Sequence, residues 1–239
     1  MIERNMVLAL DTATRHPTLA LVDAEGEVIG ERQWQSEHRH GEQLLEQLDE
    51  LLAHAKAKPR DLDGLIVGIG PGSFTGLRIG LATAKTIAYS LGVPIVGVLT
   101  THALALAAHG GEARRREFAV TLPAGAADRY VHRLVVEDSS VRESGPPQLV
   151  VPGRAFDEAV GEAPLVAIDL DAADDISDEA VERGEAALAG LGRALATLGM
   201  SALESGKTDD VERLVPAYVA LPRGIAKAAA EMMWSPDLR

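Results

Sequence analysis

The stretch that most limits what this chain can become is Gly68 to Gly80, GIGPGSFTGLRIG. It starts at the end of the apolar run Leu65-Ile66-Val67. It crowds Gly70, Pro71, Gly72, Ser73, Thr75 and Gly76 together, then continues as an apolar helix to about Leu91. That pattern is a strand, a tight loop and a helix start. Glycines at this density let backbone approach something closely or adopt torsions other residues avoid. Ser73 and Thr75 are placed to cap the free N–H groups of the helix. A phosphate cradle is the first chemistry such a loop suggests, and each version fails on a residue. A P-loop needs Lys after its last glycine, but Leu77 and Arg78 follow Gly76. A dinucleotide fingerprint has its third glycine one place earlier and an acid where Val96 stands. A nucleophile elbow around Ser73 would need glycine at both Pro71 and Thr75. The loop reads instead as the rigid base of the helix that follows it.

The elements around it fall in a definite order. Met6–Leu10, Thr18–Val22 and Val28 to about Gln35 are short apolar strands separated by polar turns, a meander of three antiparallel strands. A helix from about Gly41 to Lys56 carries Leu44, Leu45, Leu48, Leu51, Leu52 and Ala55 as one stripe. Strand four (Leu65–Ile69), the glycine loop and its helix, strand five (Ile95–Val98) and a helix from about Thr101 to His109 follow. The order βββαβαβα, with right-handed parallel crossovers, is that of a ribonuclease-H-like, actin-like half-fold. The chain is therefore expected to be α/β with two lobes. The first spans residues 1–109. A smaller, divergent second lobe, 110–239, is a reduced copy of the first.

That second half reads less clearly. Glu117–Pro123, Tyr130–Glu137 and Leu165–Ile168 are expected strands, Asp169–Glu179 an acidic loop and Gly184–Met200 one helix. Val215–Leu221 is a last extended piece, and Gly224–Trp234 a terminal helix.

Composition excludes several chemistries. The chain has 239 residues and no cysteine, so disulfides, thiolate nucleophiles and Cys-based zinc sites are ruled out. A net charge of −13, from 36 acids against 23 bases, makes it a poor stand-alone ligand for a phosphate backbone. Arg114-Arg115-Arg116 is the one basic triplet and reads as a solvated loop. The start has no secretory apolar region and no run is long enough for a membrane span, so a soluble cytoplasmic protein is expected. His38 and His40 lack metal-ligand spacing. An EF-hand frame from Asp169 puts Asp174 where glycine is needed and Ala180 where the bidentate acid belongs. No catalytic cluster and no metal site is expected.

Two candidate sites remain. Asp11, Thr12 and Thr14 lie in the turn after strand one, which faces nucleotide phosphates in actin-like folds. The same residues also suit an Asx-type hairpin turn. The helix after the glycine loop is the other. Leu77, Leu81, Ala84, Ala88 and Leu91 form one apolar stripe, and Ile79, Ala82, Thr86 and Tyr89 another side. A helix apolar nearly all round must be buried on more than one side. The small residues Gly80, Ala82, Thr83 and Ala84 would let a partner helix approach.

DTAT after a short strand, HGEQLLEQL in the first helix and above all GPGSFTGLRIG resemble the TsaB (YeaZ) family over residues 6–106. Leu99–Ala105 and Pro216-Ala217-Tyr218-Val219 resemble later family segments. Asp128-Arg129-Tyr130 looks like a shortened remnant of the family's DAR-type motif. The resemblance implies an actin-like, non-catalytic scaffold with a degenerate nucleotide site at Asp11, Thr12 and Thr14. It implies a role in threonylcarbamoyl transfer to adenosine 37 of tRNAs that read ANN codons. The implied partners are a TsaD-type catalytic subunit and a TsaE-type ATPase, with a homodimer when isolated and tRNA reached only through the complex. The cofactor to consider is ATP or ADP at the subunit interface. The expected partner interface is Leu77, Ile79, Gly80, Leu81, Thr83, Ala84 and Ile87 on one helix with Leu44 and Leu48 on the other. The competing readings are a stand-alone actin-like ATP-binding transferase or kinase relative, and a glycoprotease-type peptidase. No Cys, HExxH or triad supports the last.

Overall fold

The computed structural model describes residues 6–35, 40–112, 114–125, 127–173 and 175–219. The expected helix at Gly224–Trp234 and the side chains of His38 and His40 lie outside the described residues. In the first half, strands β1 (Met6–Asp11), β2 (Thr18–Val22) and β3 (Val28–Gln33) lead into helix α1 (His40–His54). Strand β4 (Leu62–Gly68), helix α2 (Phe74–Leu91), strand β5 (Ile95–Val98) and helix α3 (Thr100–His109) complete it. The sheet order is β3-β2-β1-β4-β5. The β1–β2 and β2–β3 pairs are antiparallel, and the β1–β4 and β4–β5 pairs parallel. This is the actin-like α/β order that βββαβαβα predicts.

Period-two alternation decides what covers each face of that sheet. Met6, Leu8, Leu10, Leu19, Leu21, Leu65 and Val67 pack with the apolar stripes of α1 and α2. Val7, Ala9, Ala20, Val22 and Ile66 face the other way, into a core shared with the second half.

The second sheet holds β6 (Arg116–Pro123), β7 (Arg129–Glu137), β8 (Ser140–Glu143), β9 (Gln148–Val150) and β10 (Leu165–Ala167). Its order is β10-β6-β7-β8, with β9 also pairing β7. Three antiparallel strands with a parallel fourth beside the first repeat β3-β2-β1-β4 without a counterpart of β5. Helix α4 (Arg154–Val160) and strands β8 and β9 are too short for a periodic signal and were not expected.

The single helix expected at Gly184–Met200 is two helices, α5 (Asp178–Ala189) and α6 (Leu191–Glu204), bent by 58°. Gly190 sits at the break, where a Cβ would press on Ala107 of α3. The bend sends α6 back over the first sheet, where Gly199 meets Ile66 and Gly192 meets Thr18 and Ala20. The 209–218 segment returns too: Asp209 bridges Ile95, and the Ala217 N–H donates to the Ile69 carbonyl. A cut at residue 110 thus divides the two sheets but not their packing. The extended piece expected from Val215 carries no strand over its described part. No single helix among the described residues is long and apolar enough to cross a membrane.

Candidate functional site

The partner of the glycine loop is the Asp11 turn. Gly68, Gly72, Gly76 and Gly80 all face it. A Cβ on Gly68 would overlap the Asp11 carboxylate, and one on Gly72 the Ala13 carbonyl. One on Gly76 would overlap the Thr12 carbonyl, and one on Gly80 the Thr12 hydroxyl. The glycine spacing is a packing requirement: every fourth position must lack a side chain where the turn lies against the loop and the helix start.

Hydrogen bonds close the same contact. Ser73 N–H donates to Ala13 O at 2.7 Å, and Thr12 Oγ1 to Gly76 O at 2.7 Å. Asp11 Oδ1 accepts from the Ala13 N–H at 2.7 Å, and Oδ2 from Thr100 Oγ1 at 2.6 Å. Thr100 Oγ1 also accepts from the Gly70 N–H at 3.1 Å, and its own N–H donates to Gly70 O at 2.8 Å. Ser73 caps α2, accepting from the Gly76 N–H at 3.2 Å, and Gly92 ends the helix in the left-handed region at φ 69°.

Asp11, Thr12 and Thr14 are buried. Burial pushes the Asp11 carboxyl up to about 6, against the lowering effect of its bonds to Thr100 and Ala13. In this structure the turn takes the Asx form that its sequence also suits, with Asp11 Oδ1 accepting from the Ala13 N–H. The three side chains do not line an open pocket, because the glycine loop and the start of α2 pack directly against the turn. Asp169, which follows β10, seals the turn from the second half. Its Oδ2 accepts from the Arg15 N–H at 2.7 Å, and Oδ1 lies 3.2 Å from His16 Nδ1.

The interface reading of α2 is corrected. Leu77, Gly80, Leu81 and Ala84 are buried toward the sheet, as are Leu44 and Leu48 of α1. They belong to the core of the folded chain and present nothing to a partner. Ile79, Thr83 and Ile87 are half-buried. The outward line is Thr75, Ala82, Thr86 and Tyr89, with Tyr89 73% exposed; on α1, Leu45 is 54% exposed. One flank of α2 is covered by the chain itself. Lys85 Nζ donates to Glu212 O and Leu214 O at 3.0 Å. Arg78 lies over the Phe74 ring at 3.9 Å and donates from Nε to the Tyr218 hydroxyl at 3.2 Å. Apolar content around a helix therefore counted three surfaces as two: sheet, returning segment and solvent.

In the second half, Arg129 of the Asp128-Arg129-Tyr130 remnant makes a two-bond fork to Asp175, at 2.6 and 3.1 Å, and lies over the Phe156 ring. The acidic stretch expected to be solvated thus supplies Asp169 to the Asp11 turn and Asp175 to Arg129. A cleft of about 350 Å³ between β7, β9 and α4 is lined by Val131, Arg133, Gln148 and Glu158 among others.

Sequence reading missed one cluster entirely. His102 on α3, His132 on β7 and Glu143 on β8 bring their ligand-type atoms within 4.8 Å of one another. Burial lowers the pKa of both imidazoles, that of His132 to about 4 with the neighbouring His102 adding to the effect. Linear spacing holds no trace of this group, because three separate elements supply it.

The family model described as TsaD: tRNA N6-adenosine threonylcarbamoyltransferase matches residues 32–199. A protein described as uncharacterized from Mycobacterium tuberculosis is 38% identical over 122 residues, 48% of this chain and 58% of that protein. The tRNA threonylcarbamoyladenosine biosynthesis protein TsaB of Bacillus subtilis is 37% identical over 99 residues, 41% of this chain and 43% of that one. The matches span about half the length of these relatives. The solved structure of YeaZ from Pseudomonas aeruginosa superposes with a TM-score of 0.70 over 90% of this chain and 99% of that one. At 23% identity, that similarity is one of fold.

Proposed function

The chain belongs to the tRNA N6-adenosine threonylcarbamoyltransferase family, on its TsaB (YeaZ) side, and from that membership we propose that it serves tRNA threonylcarbamoyladenosine biosynthesis as a non-catalytic subunit. The observation that carries the non-catalytic part is the closed Asp11 turn. The glycine loop packs directly against this turn, and both Asp11 carboxylate oxygens are bonded within the chain. Its contribution is then to pair with a TsaD-type catalytic subunit, work with a TsaE-type ATPase and reach tRNA only through that assembly, in the cytoplasm. The net charge of −13 agrees with leaving tRNA contact to a partner. Any ATP or ADP belongs at the contact between subunits rather than on Asp11.

The docking surface we assign is the outward line of α2 with Leu45 of α1. Tyr89 and Leu45 are large apolar side chains held out in solvent, and Ala82 is a small exposed residue on the same line of α2 as Tyr89. In isolation the same surface should pair with a second copy.

Reconstitution with purified partner subunits and tRNA tests this, the modified adenosine being read by mass spectrometry of digested nucleosides. Omitting this chain should abolish the product; full product without it overturns the proposal. Ala82→Arg, on the outward line, should keep the melting temperature and weaken subunit pairing by more than tenfold. Ala84→Arg, two positions on but in the core, should unfold the chain. Pairing undisturbed by Ala82→Arg would move the interface elsewhere.

A further inference from the structure

The geometry points to a divalent transition-metal site of the zinc class formed by His102, His132 and Glu143, separate from the Asp11 turn and from the outward line of α2. The fold places the three ligands on one face. Glu143 pairs with Leu134 across the β7–β8 ladder, so it lies diagonally beside His132 on the sheet face against which α3 packs. His102 enters that space from α3. Glu143 Oε1 stands 3.4 Å from His102 Nε2 and 3.7 Å from His132 Nε2.

Neither buried Nε2 makes a hydrogen bond of regular geometry, although His102 lies close to the Glu143 carboxylate and His132 close to the Gly145 backbone, and His132 has no exposed surface. Buried imidazole nitrogens are normally satisfied, so two orphans facing one carboxylate point to a shared ligand. A tetrahedral zinc ion with bonds of about 2.0–2.1 Å sets its ligand atoms about 3.3–3.5 Å apart. The two distances from Glu143 are near that spacing, and all three ligand atoms lie within 4.8 Å of one another. Two imidazoles and one carboxylate select zinc and its neighbours over magnesium or calcium, which prefer oxygen ligands.

The surroundings favour binding too. His132 Nδ1 lies 2.8 Å from Thr101 Oγ1. With Nδ1–H donating to that hydroxyl, the Nε2 lone pair points at the cluster, the arrangement that orients histidines at metal sites. Glu143 is 41% exposed on its side chain, so solvent supplies a fourth ligand and the ion has a way in. The site would join α3 to the β7–β8 hairpin.

The full chain, stripped with chelator and dialysed, is titrated with zinc chloride by calorimetry, with magnesium chloride as the hard-cation control. One equivalent of zinc should bind, magnesium should not, and zinc should raise the melting temperature. Glu143→Gln, at a solvent-exposed side chain, should fold normally in chelator, bind zinc at least tenfold more weakly and lose most of the melting shift. His102→Gln should weaken binding further; if it fails to fold, Glu143→Gln alone decides. No zinc binding by the wild-type chain overturns the assignment. So does binding of equal strength in Glu143→Gln, which would place the ion elsewhere.

Discussion

Two adjacent residues at the start of α3 serve two polar clusters, one buried and one reaching the surface at Glu143, that behave in opposite ways. Thr100 turns to the first sheet, where its hydroxyl donates to Asp11 and accepts from Gly70. Thr101 turns to the second, where its hydroxyl meets His132. Around Thr100 the Asp11 carboxylate has a donor for each oxygen, and glycines remove every side chain that would hold the parts apart. Around Thr101 two imidazole nitrogens are left without regular partners. A filled polar cluster acts as a rivet, whereas an unfilled one asks for a ligand. Within one fold, the cluster built on the glycine loop is satisfied by its own bonds, and the one with no recognised motif leaves two imidazole nitrogens without regular partners.

The most severe way to break the first cluster is Gly76→Ala. Gly76 has ordinary helical torsions, so the added methyl acts purely through its overlap with the Thr12 carbonyl. Overpacking usually costs about 1–3 kcal/mol, but here the obstacle is backbone on both sides, so a loss of about 3 kcal/mol or more in urea unfolding is expected. A loss under about 1 kcal/mol would mean that the turn and the loop can slide apart.

A pH titration comes next in size and sets the clusters against each other. Asp11 has its carboxyl pushed up to about 6 from 3.8. Between about pH 4 and 6 the native chain holds a proton that the unfolded chain has lost, so this group makes stability fall as pH rises, by about 3 kcal/mol in full. His132 is pushed down to about 4 from 6.5. Across nearly the same window the unfolded chain binds a proton that the native one refuses, so stability falls as pH drops. In chelator-treated protein the two slopes oppose. Asp11→Asn removes the first and exposes the second. The variant should lose stability toward acid more steeply than wild type between pH 6 and 4, and gain relative to it above pH 6. Parallel curves would mean that Asp11 titrates alike in both states.

How far these clusters could be read from sequence differs for physical reasons. Strands β1 to β5 and helices α1 to α3 were legible because each repeats its apolar residues with one period over enough positions. The glycine loop was legible as a close approach, but what it approaches was not, since Asp11–Ala13 lie far away along the chain. Leu77, Leu81 and Ala84 were correctly one stripe of α2, yet a stripe does not say whether sheet or partner covers it. The break at Gly190 was hidden because glycine inside an Ala- and Leu-rich run scarcely alters helical periodicity. The His102, His132 and Glu143 grouping depends on the β7–β8 register and the seating of α3, neither of which is encoded locally.

Thr100→Val and Thr101→Val then compare the clusters at near-equal volume. Thr100→Val removes a donor from a buried carboxylate and an acceptor from the Gly70 N–H, so about 2–3 kcal/mol of stability should go.

The smallest effect belongs to Thr101→Val, and it separates a rivet from a ligand site. In chelator the change removes one neutral hydrogen bond to His132 Nδ1, so stability should fall by only about 1 kcal/mol. In zinc the result should look different, because the lost hydroxyl no longer fixes the His132 ring and its Nδ1–H tautomer. Groups that orient a metal-bound histidine typically change affinity by about 10–100-fold. Zinc affinity should therefore drop about tenfold, measured by the same calorimetry, while Thr100→Val leaves zinc affinity unchanged as long as the chain stays folded. If Thr101→Val loses stability but keeps full zinc affinity, its hydroxyl is a packing contact like its neighbour's and the contrast between the clusters narrows. If both valine variants weaken zinc equally, the two clusters are coupled through the first turn of α3 and act as one unit.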